Sequence, residues 1–115
     1  MSSGYLDLFI EQGEDFSANI SLTALNSASY NLSSYSVRSD IRRSYWSEDA
    51  TASFTTELID GGNDGEISIS LDSETTQSLT ASKYVYDVFL INNSSNSKSK
   101  ILQGTVYVDP SSTKF

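Results

Sequence analysis

The chain has 115 residues, a formal net charge of −8, no cysteine and no histidine. A chain of this length supports one hydrophobic core, and the two missing residue types remove disulfides, zinc–thiolate sites, thiol nucleophiles and the usual general base. Its hydrophobic share is only 37%, but the shortfall is made up by Ser, Thr and Asn, which suits a turn-rich β protein better than a disordered one.

In chain order, Leu6, Leu8 and Ile10 alternate with Tyr5, Asp7 and Phe9 to give a first strand punctuated by Gly13. Phe16, Ala18, Ile20, Leu22 and Ala24 then alternate with polar residues, the period of two that a half-buried strand requires. The segment 26–34 is polar, with a short extended piece expected at Tyr30 to Leu32. A third strand places Val37, Ser39 and Ile41 inward and Arg38, Asp40 and Arg42 outward. Ser47 to Ala52 reads as a loop and Phe54 to Ile59 as a strand.

The run Asp60-Gly61-Gly62-Asn63-Asp64-Gly65 is a strong turn signal, followed by a strand with Ile67, Ile69 and Leu71 on one phase. Asp72 or Ser73 is placed to N-cap a single helical turn across Glu74 to Leu79. Tyr84 to Ile91 is β-branched and aromatic and reads as a well-buried strand. After the polar loop from Asn92 to Ser99 comes a last strand over Leu102 to Val108, with Gly104 marking an expected bulge and Pro110 its end. Strands at this spacing predict an all-β fold, a sandwich of about seven or eight strands filling residues 1–110, with 111–115 as a tail.

Seven basic residues, with one adjacent pair at Arg42-Arg43, are too few and too scattered for docking on phosphates or anionic lipid. No stretch approaches the ~20 apolar residues of a membrane span, and the start lacks a basic and an apolar leader region. Neither nucleic acid nor membrane is expected as a partner.

Four features are weighed for function. The acidic turn 60–66 is oxygen-rich enough to attract Ca²⁺, but it occurs once, and a plain hairpin turn is expected, with no metal and no cofactor. The carboxylate pairs Asp7 with Glu11 and Asp40 with Asp87 lie on outward phases, so no catalytic residues are expected, and Asp87 is read as a hydrogen-bonded structural carboxylate. Tyr84 follows the corner from Asp72 to Ala81, where sandwich folds place a tyrosine that bonds back to the chain upstream. Tyr45 and Trp46 are adjacent, so a strand would expose one of them. Either Trp46 closes the end of the sandwich, or the pair joins Arg38 and Arg42 in an exposed patch suited to a protein interface or to stacking on sugars.

Three stretches also carry a family pattern. They are Glu11-Gln12-Gly13-Glu14-Asp15-Phe16-Ser17; Ser33-Ser34-Tyr35-Ser36-Val37-Arg38-Ser39-Asp40-Ile41-Arg42; and Leu79 to Val88 followed by Leu102-Gln103-Gly104-Thr105-Val106-Tyr107-Val108-Asp109-Pro110. In this order and spacing the chain resembles the small immunoglobulin-like domain of tailed-phage structural proteins, found in baseplate, tail, neck and head-fibre components. It departs from the pattern at Ser39, where a larger apolar residue is usual, and at Ser82, where Gly is frequent. The resemblance implies an immunoglobulin-like antiparallel β-sandwich located in the virion. It further implies a non-enzymatic, multi-copy or homo-oligomeric assembly component in contact with other virion proteins. A carbohydrate- or host-surface-binding module is the alternative.

Overall fold

Alternation in the sequence becomes alternation of burial, and the strands follow from it. The computed structural model describes residues 4–21, 34–59 and 65–113. Among the described residues, nine strands and one short helix run in the order β1 (Gly4–Tyr5), β2 (Leu8–Glu11), β3 (Phe16–Ser21), β4 (Tyr35–Arg42), β5 (Ala52–Ser53), β6 (Thr55–Leu58), β7 (Glu66–Leu71), α1 (Ser73–Ser78), β8 (Lys83–Asn92) and β9 (Lys98–Asp109). They form an all-β sandwich. The large sheet has six strands in the order β1-β9-β8-β4-β5, with β2 also on β9, and the small sheet is β3-β7-β6.

The core lies between the sheets. Ile41, Tyr86, Val88, Leu102 and Val106 from the large sheet meet Ile20, Ile67, Ile69 and Leu71 from the small one. Each such side chain, fully withdrawn from water, contributes about 1.5–3 kcal/mol. Phe54, buried between β5 and β6, joins the layers by packing 6.0 Å from both Phe16 and Tyr86.

The helix is the single turn that the sequence implies. Asp72 is its N-cap, its carboxylate accepting from the Thr75 N–H at 2.8 Å. The polar residues of the Glu11–Ser17 stretch dock this helix against the β2–β3 turn. Gln12 donates to the Leu79 carbonyl at 2.6 Å, the Gly13 N–H donates to Thr76 Oγ1 at 3.1 Å, and Asp15 accepts from the Ser73 N–H at 2.8 Å. Thr76, fully buried, donates in turn to the Glu14 carbonyl. Gly13 has φ 84°, in the left-handed region that favours glycine. Tyr84 is the corner tyrosine: its hydroxyl donates to the Thr80 carbonyl at 2.7 Å.

Several expectations need correction. The first strand divides into β1 and β2, both parallel to β9 and not antiparallel. Parallel pairing requires a crossover, and the chain supplies it by leaving the large sheet at Gly13 and entering the small one as β3. Leu6, expected inward, is 44% exposed. Its backbone carbonyl turns toward the core instead and accepts from the Tyr86 hydroxyl at 2.7 Å. Asp7 then replaces the missing ladder acceptor, taking the Thr105 N–H at 3.1 Å.

This diversion explains Gly104, because a Cβ there would stand 1.9 Å from the Leu6 oxygen. Gly104 is therefore a close-approach glycine. The bulge lies elsewhere, at Ile101, where the β8–β9 register shifts between Val88 and Phe89. Ile101 and its neighbour Leu102 are consequently both buried. The last strand also begins at Lys98, earlier than expected. The expected turn at 60–64, the strand beyond Ser21 and the extended piece at 30–32 fall outside the described residues.

Candidate interface on the outer face of the large sheet

Ladder register determines which side chains share the outer face. Asp40 stands opposite Asp87, Asp87 opposite Gln103, and Gln103 opposite Tyr5, a single row across four strands. A parallel row joins Arg38, Phe89 and Lys100, and the next joins Ser36, Ile91 and Lys98. Beyond the other end, Phe9 stacks on Tyr107 with centroids 5.2 Å apart. Arg38, Asp40, Arg42, Asp87, Phe89, Ile91 and Lys98 line an open trough of about 280 Å³. Phe89 and Ile91 are its apolar lining, and the other five residues carry charge.

The four residues expected at an interface divide into two roles. Arg38 is free to act outward, its side chain 74% exposed although 3.6 Å from Asp40. Arg42 is largely spent within the chain: it pairs with Asp40 at 3.2 Å and its Nε donates to the Ser47 carbonyl at 3.1 Å. That bond fixes the turn from Arg43 to Ser47, where the Ser47 N–H donates to the Ser44 carbonyl and Ser47 Oγ accepts from the Ser44 N–H. The Arg43 guanidinium lies 5.0 Å over the Tyr84 ring and anchors the turn from the other side.

Trp46 and Tyr45 ride on this turn. Trp46 is 89% exposed, so it does not close the end of the sandwich. Tyr45 is also exposed, because the pair sits in a turn and the strand rule of opposite faces no longer applies. The Tyr45 phenol is pushed above its usual range by partial burial and then by the nearby Tyr5 and Asp87.

The two carboxylates facing each other across β4 and β8 differ. Burial would raise Asp40, but the hydrogen bond from Ser53 and the guanidiniums of Arg42 and Arg38 outweigh it and hold the group below the usual carboxylate range. Burial pushes Asp87 up, with Asp40 adding to the effect and Lys100 and Arg42 opposing it. Asp87 was expected to be a hydrogen-bonded structural carboxylate; among the described residues its side chain accepts no hydrogen bond, and it faces the trough. Its backbone carbonyl takes the bond instead, from the buried Ser39 hydroxyl at 2.6 Å. This is what Ser39 does in place of the larger apolar residue of the resembling domains. Of the other pair considered, Asp7 is engaged with Thr105 and Glu11 stands opposite Asp109 on the strand edge.

Sequence reasoning did not find Phe89, Ile91, Lys98, Tyr5 and Phe9 as members of this face. The outward phase of β8 and β9 was readable from the alternation, but the pairing that brings these residues beside Arg38 was not.

No protein-family model and no curated protein sequence matches the chain. Among solved structures it is similar to InlP of Listeria monocytogenes, at 17% identity and a TM-score of 0.50, over 93% of this chain and 27% of that one. The chain thus spans about a quarter of that protein's length. At this identity the likeness concerns the fold alone, and it agrees with a β-sandwich.

Proposed function

We propose that this sandwich is a non-enzymatic structural component of a tailed-phage virion, present in several copies and working in assembly by protein–protein contact. The observation that carries the reading is Trp46, 89% exposed on a turn pinned by Arg42, Arg43, Ser44 and Ser47. The turn that presents this large aromatic is ordered before any partner arrives, so docking it costs little backbone ordering entropy. Tyr5, Phe9 and Tyr45, also exposed, extend the surface, and Arg38 supplies a charged handle of the kind interfaces use. The ordered motifs that resemble phage immunoglobulin-like domains supply the location.

The test replaces Trp46→Ala together with Arg38→Glu, leaving Arg42 in place because it holds the turn. Incorporation into particles is expected to fall by about tenfold or more, the effect of losing ~1.4 kcal/mol of contact. Unchanged incorporation refutes the reading. A second reading, a sugar-binding module, is favoured by one observation: the Phe89 and Ile91 floor beside the uncommitted Asp87 carboxylate and Arg38. Loss of glycan binding in the same variant, with assembly intact, would select it.

A further inference from the structure

The basic charges of this chain are confined to one of its two sheets, whose strands also carry Glu11, Asp40, Asp87 and Asp109. Apart from Lys114, every basic residue lies at positions 38–43, 83 or 98–100, on β4, β8, β9 or the turn that follows β4. The strands of the small sheet and α1 contain none, yet they carry Glu57, Glu66 and Glu74.

The outer face of the small sheet is flat as well as acidic. Register sets Ser17, Ser70 and Thr55 in one row, Asn19, Ser68 and Glu57 in the next, and Ser21 beside Glu66 in the third. Glu57 and Glu66 are diagonal neighbours, at a spacing of about 7–8 Å, and they are the only long side chains in these rows. Neither has an ion-pair partner among the described residues. Among the described residues of the large sheet, Arg38 shares one carboxylate with Arg42, and the Lys98 ammonium reaches the Asn96 carbonyl alone, at 3.3 Å. Between Arg38 and Lys98 lie Phe89 and Ile91.

Resting on the assembly role above, we infer that the partner of this trough is a second copy of the same chain: Arg38 and Lys98 of one copy engage Glu57 and Glu66 of the next, while Phe89 and Ile91 lie on its flat serine-rich face. Copies that carry −8 each repel one another in most orientations. Arg42 offsets Asp40 within the trough, so placing Arg38 and Lys98 on Glu57 and Glu66 is an orientation that opposes this repulsion. The contact joins two different surfaces, so it is head-to-tail, and repeating it generates a ring or a stack rather than a two-fold dimer. Because the charges are exposed, the contact weakens as salt shortens the screening length below about 10 Å.

The experiment uses sedimentation of the full chain, with circular dichroism confirming that each variant stays folded. At low salt the chain is expected to self-associate and to dissociate in ~0.5 M NaCl. R38Q/K98Q and E57Q/E66Q should each lose self-association by about tenfold or more. Mixed together they should form a 1:1 complex, because one retains the acidic face and the other the basic face. A chain that stays monomeric at low salt, or associates regardless of both variants, overturns the inference. If it is monomeric while the Trp46→Ala, Arg38→Glu variant still fails to enter particles, only the second-copy inference falls. If that variant also enters particles normally, the assembly reading falls with it.

Discussion

Two sets of aromatic residues border the large sheet, and they differ in how much of their area the fold uses. Inside, Tyr84 and Tyr86 are each 1% exposed, and each phenol is bonded to a backbone carbonyl of its own chain, at Thr80 and Leu6. Outside, Trp46, Tyr45, Tyr5 and Phe9 stand 48–89% exposed on the same sheet or the turn beside it. The inner set contributes area plus a directed bond that excludes other arrangements of the chain. The outer set makes fewer such contacts, Phe9 on Tyr107 and the Tyr5 hydroxyl with Thr105, and leaves most of its area to solvent. Inner substitutions are therefore expected to change stability and outer ones association.

The largest effect is expected at Gly104. An added Cβ would stand 1.9 Å from the Leu6 oxygen, which is backbone and itself held by Tyr86. Gly104→Ala should destabilise by about 3 kcal/mol or more, since a rigid backbone group must move and its bond to the Tyr86 hydroxyl must break. A denaturant midpoint within error of the native chain would show that the β1–β2 junction is not fixed in this way. Tyr86→Phe comes next. It leaves the Leu6 carbonyl without its donor, a loss of about 1–3 kcal/mol. Tyr84→Phe should cost somewhat less, about 1 kcal/mol, because Thr80 is exposed and water can replace the phenol. Equal losses at both positions would mean that the two acceptors are equally open to water. Trp46→Ala is the outer counterpart. It should change stability by no more than about 0.5 kcal/mol, and a larger loss on thermal unfolding would mean that Trp46 belongs to the fold after all.

Much of the fold was legible in the sequence because burial on one face writes a period of two. Ile67, Ile69 and Leu71 in β7 and Tyr84, Tyr86 and Val88 in β8 are buried on the phase their spacing implied. The Asp72 cap and the Tyr84 corner were legible because each rests on a local bond within a few residues. Strand direction was not, since parallel and antiparallel partners of β9 write the same alternation. Leu6 was misplaced because the diverted group is a carbonyl, and backbone groups leave no mark on residue type. The bulge was assigned to the conspicuous Gly104 when the register shifts at Ile101, a residue with no turn character. For the candidate site, Arg38 and Trp46 were visible as residue types. The trough was not, because it exists only once β4, β8 and β9 lie side by side.

The smallest effect tests the comparison within one cross-strand pair. Asp40 and Asp87 are directly opposite on adjacent strands, yet their carboxyls shift in opposite directions. Asp40 is lowered in the folded chain, so its charge stabilises the fold above the ordinary carboxyl value of 3.8, and that contribution fades as pH falls through the folded value. Asp87 is raised, chiefly by burial, so the folded state holds its proton more tightly than the unfolded state. Its ionisation therefore removes stability as pH climbs from about 4, the unfolded value, through the folded one. At neutral pH, Asp40→Asn should destabilise and Asp87→Asn should stabilise, each by less than about 1 kcal/mol because both groups remain within reach of solvent. Both differences should shrink on acidification, that at Asp87 first, as pH falls through its raised folded value, and that at Asp40 only below the ordinary carboxyl value, as pH falls through its lowered one. Chemical denaturation of the two variants at neutral and acid pH measures this. Two changes of the same sign at neutral pH would mean that the guanidiniums of Arg38 and Arg42 serve both carboxylates alike, and that Asp87 is not the uncommitted acid of the outer face.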